Sequence, residues 1–484
     1  MEAREQIPHL LRRFGLGTTP EELSKYGSFT PTKALESMLD FERTKEDFPV
    51  TPWEFVVQPK GDVQFDSARF SRWWALRMVL TQTPAREKLT LFWHDHFAVS
   101  GEKVEFGPLM FGYLDILGKH GLGDYRTLLG KVSTCPAMLR WLDGDVSIKG
   151  QPNENFGREL LELFTLGIGN YTEKDVQEVA RAFTGWSLRN LYRGGGNDAA
   201  RRSQIRESFI YSRPLVASAY SPELNDDGVK TILGKTGRLD GDAVLDLLAN
   251  HPQTARYICT KLWEYYAYAN PEPTVVNRLV KVYTDSKRDI RAVLMAIGTS
   301  KEFWSDKCLR AQVKCPVDFT VAFVRQLGLR EKILSYRKPS AGPMDPIPPE
   351  MQAISDLVLG AMRKQGMTLL YPPDVAGWDW GTNWVSPAMM IERMRLADLV
   401  SRTLRPQTAT EIFATLSEQT SSDAVVAAFM ARFDVSADDG KRAVLVEAME
   451  KAGGPKAFKN ANTATTALRS LVKLTFAMPD YQFC

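Results

Sequence analysis

Apolar residues recur every three to four positions along most of the chain. Between Asp66 and Leu80, the residues Phe70, Trp73, Trp74, Arg77 and Met78 keep that spacing, and after Pro84 a second run passes through Leu89, Phe92 and Trp93. The period lays one face of a helix against a core, so this stretch predicts a helical pair with a short turn. The same signal predicts helices over Phe156 to Leu166, Val176 to Trp186, Ala243 to Leu248, Ala255 to Tyr268, Val275 to Tyr283 and Ile290 to Ile297. It returns at Val317 to Leu327, Ile354 to Met362, Met389 to Leu399, Val425 to Phe433 and Ala467 to Phe476. Strand alternation is confined to Ser187 to Tyr192 and Ser208 to Tyr211, either side of Gly194-Gly195-Gly196. The expected fold is all-α, a large multi-helical body with a small β-hairpin lobe.

At 484 residues the chain exceeds the usual size of one hydrophobic core. The pattern divides it into an N-terminal helical part (1–186), a hairpin lobe (187–235), a central helical part (236–404) and a C-terminal helical appendage (405–484). Two connectors are expected. Lys338 to Pro349 carries five prolines, which favour extended backbone, and Arg405-Pro406-Gln407-Thr408 precedes an alanine- and charge-rich end.

Composition narrows the function classes. Hydrophobic residues at 44% and charged residues at 25% are those of an ordinary globular protein. With 61 basic against 58 acidic residues the net charge is +3, too balanced for a nucleic-acid footprint, so no nucleic-acid partner is expected. The local exception, Arg193 to Arg206 with Arg201 and Arg202, reads as a solvated or partner-facing loop. Five scattered cysteines form no CxxC pair and are expected to be free, mostly buried thiols. No apolar run is long enough to span a membrane, and Met1 to Gln6 does not open a signal peptide. The sequence as it stands is expected to be cytoplasmic, or exported if a signal was removed. No GxGxxG after a strand, P-loop, GxSxG or HExxH occurs.

Candidate chemistry gathers in three segments. On a helix from Asn153, Asn155, Glu159 and Glu162 share one face, and the two carboxylates need something cationic nearby. Arg158 offers it through pairs with Glu154 and Glu162; a metal ion is the other possibility. His94 and His96 diverge on a regular helix but converge on an extended turn, and Glu87 shares the helix face of His94. Together with Glu159 and Glu162 they would resemble the ligands of a helical carboxylate metal site, although the Glu-x-x-His pattern is absent. The third segment, Tyr371 to Trp384, packs Trp378, Trp380 and Trp384 beside Asp374 and Asp379, suited either to stacking on a sugar or planar ligand or to plugging the core.

These segments, with His9 to Gly15, Val176 to Trp186, Lys230 to Gly234, His251 to Arg256, Lys261-Leu262, Pro316 to Phe319 and Met478 to Phe483, resemble the bacterial domain-of-unknown-function 1800 family over nearly the whole chain. The resemblance implies a large helical protein, often exported, whose genes accompany a family related in fold to alkaline phosphatases and sulfatases. It also implies histidines where this chain has Phe164 and Asn225. If those histidines bind metal or move protons, this chain lacks them.

Two functions are therefore expected from different classes. The first is a metal-dependent enzyme with Glu159, Glu162 and Arg158 in catalysis, a divalent ion on His94, His96, Glu159, Glu162 and Asp226, and Asp374, Trp378, Trp384 and Asn155 against the substrate. The alternative is a non-catalytic scaffold that binds a protein partner, or a small-molecule or saccharide ligand, through the tryptophan loop or the basic lobe.

Overall fold

Proline starts many of the helices. Pro84–His96, Pro252–Tyr266, Pro316–Gln326 and Pro349–Lys364 each open on one, whose ring presets φ and whose missing N–H would be unpaired at that position anyway. The computed structural model describes residues 1–44, 46, 48–57, 64–190, 203, 204, 207, 215–342, 345–403 and 414–484. These are mostly helical, with two two-stranded antiparallel hairpins among the described residues.

The helical pair is Ser67–Leu80 and Pro84–His96, joined by a turn at Thr81 to Thr83. Glu87 does not point toward the histidines. It accepts from Trp74 Nε1 at 2.8 Å and Arg77 Nε at 2.6 Å, so this carboxylate locks the pair together. Helix Gly107–His120 packs on both members of the pair and Pro349–Lys364 on Ser67–Leu80, whose Ser71 Oγ donates to the carbonyl of Leu369, just beyond that helix, at 2.7 Å.

The period over Phe156 to Leu166 conceals a break. Glu154–Leu161 is α-helical, and Glu162–Leu166 continues as a π-helical turn. After Gly167, at φ +80, Thr172 and Asp175 form the capping box of Glu173–Ala182. The helix expected as far as Trp186 stops at Ala182, because Gly185 at φ +93 turns the chain into strand Trp186–Asn190. That strand pairs with Val216–Tyr220, Trp186 lying opposite Tyr220. The expected partner, Ser208 to Tyr211, lies outside the described residues, as do Arg193, Arg201, Arg202, Arg206 and the connector Arg405 to Thr408. An unexpected second hairpin, Lys230–Ile232 with Lys235–Gly237, turns at Leu233 and Gly234, both at positive φ as a two-residue hairpin requires.

Buried apolar side chains form one continuous core from Leu10 to Tyr481. The C-terminal helices belong to it: Phe476 packs 4.8 Å from both Phe319 and Phe323. All five cysteines are buried free thiols.

Candidate functional site

The three candidate segments meet at the C-terminal end of helix Pro84–His96, and Asp95 is the link to the tryptophan loop. Its Oδ1 accepts the Trp378 backbone N–H at 2.8 Å and its Oδ2 accepts Trp380 Nε1–H at 2.9 Å. Gly377 makes this approach possible: it holds φ +92, and a Cβ there would stand 2.4 Å from Asp95 Oδ1. The loop shapes itself through Asp374, whose Oδ1 accepts the Ala376 N–H at 2.8 Å. Burial, against the opposing pull of Lys261 and the two hydrogen bonds, pushes the Asp95 carboxyl up to about 6.

His96 links the helix to the π turn. Its Nε2 stands 3.2 Å from the carbonyl of Phe164, which also accepts from Tyr125 Oη. The helix ends at Leu166, which leaves the Phe164 carbonyl of its last turn without a helical partner, and two side-chain donors take it up. Helix Pro84–His96 stays regular through both histidines, so they diverge. His94 Nδ1 lies 3.4 Å from Tyr113 Oη, and the ring meets Trp378 edge-on at 5.2 Å between centroids. Tyr113 gives its proton to the carbonyl of Phe97 at 2.8 Å, so the His94 contact is completed by a proton on Nδ1. Among the described residues His94 Nε2 and His96 Nδ1 have no hydrogen-bond partner, which suits bare lone pairs on neutral rings. Burial holds His94 down at about 3 and His96 well below the usual histidine range.

The carboxylates lie beside this junction. Glu159 is 9% exposed, and no described residue gives it a hydrogen bond or an ion pair. Burial, then the charges of Glu162 and Asp374, raise its carboxyl above the ordinary value, with Arg158 opposing them. Glu162, half-buried at the start of the π turn, accepts from Tyr171 Oη. Asp374 is exposed.

Two residues not named as site candidates from the sequence complete the group. Lys261 Nζ sits 5.6 Å above the ring of Tyr257, makes no hydrogen bond or ion pair to a described residue, and is lowered by burial despite the field of Asp95. Tyr257 lies in the field of Glu162 and Asp95, and burial pushes its hydroxyl up to about 12. A signal was present: Tyr257, Lys261 and Tyr265 follow at i, i+4 and i+8, a polar stripe on one face of Pro252–Tyr266. Tyr265 closes the stripe against Trp380, centroids 5.1 Å apart.

Other candidate residues lie elsewhere. Arg158 pairs with neither Glu154 nor Glu162 but grips Glu173 at 2.8 and 2.6 Å. Asn155 is exposed one turn before Glu159. Trp378 and Trp384 are 5% and 3% exposed and fill the core, which leaves Trp380, at 37%, as the accessible indole of the loop. Asp226 is held by Arg181 at 2.8 and 3.1 Å, and no described contact joins it to either histidine. The positions where the resemblance implies histidine are filled structurally: Phe164 packs 5.2 Å from Phe97, and Asn225 Nδ2 donates to the carbonyl of Thr184 at 2.8 Å.

Among the described residues no three His, Cys, Asp or Glu side chains gather closely enough to hold a metal ion, and no helix is long and apolar enough to cross a membrane. No curated protein and no solved structure matches the chain. A family model does, over residues 9–483; its description is "Protein of unknown function (DUF1800)".

Proposed function

The chain belongs to the DUF1800 family, whose description names no reaction, and from that premise we propose that it is an enzyme working by general acid–base chemistry beside the three-segment junction. The observation that carries this reading is Glu159, a carboxyl on a residue only 9% exposed and without a described partner, in the field of two further carboxylates and one turn before a π-helical turn. Crowding a partly desolvated carboxyl against two others costs stability, and π turns recur at functional sites. Glu159 keeps its proton to higher pH than an exposed glutamate, which suits a group that both gives and takes one. Glu162 and Asp374 supply negative charge beside Glu159, and Lys261 a cation able to meet an anionic intermediate.

The divalent ion expected from the sequence would enter this reading through Glu159 and Glu162 alone, with water or substrate completing its shell. His94 and His96 take no part, since each already serves a packing contact.

The test is a panel of ester, glycoside and phosphoester substrates offered to protein purified without chelator or metal-binding tag, alongside metal analysis. Turnover lost in Glu159→Gln while the fold persists supports the proposal; turnover retained in that variant overturns it. Metal present in the wild type and lost in the variant would assign an ion to these carboxylates.

The docking alternative now rests on Trp380, the loop indole that reaches solvent. It requires a co-purifying partner that Trp380→Ala loses.

A further inference from the structure

A cavity of about 540 Å³ lies away from the junction, between helices Tyr125–Ser133 and Gly241–Ala249 and the first hairpin. That volume is within the range of small-molecule sites. Its aromatic wall is a cross-strand pair: Trp186 and Tyr220 oppose each other in the ladder, their centroids 5.3 Å apart and their planes at 51°. Tyr220 is 43% exposed, so its ring is offered to solvent. Phe183 stands behind, against Gly241, where a Cβ would come within 3.2 Å of its ring.

The polar side is fixed in geometry. Arg126 donates Nε to Asp246 and Nη2 to Asp242, each at 2.6 Å, which holds the guanidinium in place and offsets its charge. It lies across Gly130, whose Cβ would stand 2.8 Å from Arg126 Nη1. Among the described residues, four charged ones line the cavity, Arg126 and Lys131 against Asp240 and Asp242, and their signs balance.

That balance decides the ligand class. A phosphate ligand calls for net positive charge, and a quaternary ammonium for rings and carboxylates without cations beside them. A neutral ligand with apolar C–H faces and many hydroxyls matches both the tilted ring pair and the fixed donors and acceptors. We propose that this cavity binds a neutral saccharide, one pyranose ring against Trp186 and Tyr220 and its hydroxyls read by Arg126, Asp240 and Asp242. None of these residues belongs to the Glu159 group, so the site stands whether or not the acid–base proposal does.

Calorimetry and saturation-transfer NMR with cellotriose, maltotriose and chitotriose test it on the full chain. The expected result is millimolar or tighter binding of at least one, with pyranose C–H protons saturated, weakened about tenfold or more in Tyr220→Ala. Tyr220 is exposed, so this variant should fold; Trp186→Phe, which keeps a ring, should weaken binding less than Trp186→Ala. No binding of any trisaccharide to the wild type overturns the proposal, as does binding unchanged in Tyr220→Ala and Trp186→Ala. Choline chloride bound in their place, and lost in Tyr220→Ala, overturns the saccharide class.

Discussion

At Gly377 two constraints coincide: a backbone at φ +92 and an Asp95 carboxylate that leaves no space for a Cβ. Gly377→Ala should therefore lose about 2 kcal/mol or more in urea unfolding, through strain and a displaced tryptophan loop. The buried histidines make a separate prediction. His94 and His96 are neutral when folded, held down by burial, whereas the unfolded chain protonates near the ordinary value. Their contribution is intact above that value and is lost as pH falls, His94 costing about 2 kcal/mol at pH 5. Asp95 acts oppositely: raised to about 6, it takes its proton in the folded state first, which favours folding as pH drops from about 6 toward the ordinary aspartate value. The histidines should prevail, and His94→Phe should shrink the difference between urea midpoints at pH 7 and pH 5. Residue type and spacing placed Glu159 and Glu162 on one face, but could not reveal the partner of Arg158, because Glu173 reaches it only after the chain has turned back through Gly167.

At the scale of elements, the helical pair, the capping box at Thr172 and most helices were legible, because each depends on neighbours three or four residues apart. The π turn was not: apolar periodicity cannot reveal one inserted residue when Leu160, Leu161, Leu163 and Phe164 satisfy either winding. From that turn Thr165 Oγ1 donates back to the carbonyl of Leu160 at 2.6 Å. Thr165→Val keeps the shape and takes away that buried donor, so it should cost about 1–2 kcal/mol in chemical denaturation. The tryptophan loop left two readings open because composition alone does not say which indole faces inward; Asp95, by holding Trp378 N–H and Trp380 Nε1–H, sets which does. The second hairpin left no signal because its strands are three residues each, too short to show alternation.

For the whole molecule, the expected all-α body with a hairpin lobe is what the chain forms, with a second small hairpin added. The convergence of the three segments was not legible, since it depends on contacts such as Asp95 with Trp378, 283 residues apart in sequence. The shared core has a consequence for the C-terminal helices. Arg393 binds Gln482 Oε1 at 2.7 Å and the carbonyl of Lys314 at 2.6 Å, and Phe476 covers Phe319 and Phe323. A chain ending at Thr403 should leave a buried cation and two phenylalanines uncovered and fail to accumulate in soluble form, whereas the full chain should unfold in one calorimetric transition. The most direct measurement of the central claim is the urea midpoint of Glu159→Gln against the wild type from pH 8 to pH 4. Because the folded-state carboxyl is raised, its charge is unfavourable only above that raised value. Glu159→Gln should be more stable at pH 8 by up to about 1 kcal/mol, discounted for partial solvent screening, and the gain should vanish on acidification. A variant less stable than the wild type at pH 8 would show that the Glu159 carboxylate holds the structure together, and would contradict its assignment as the acid–base group.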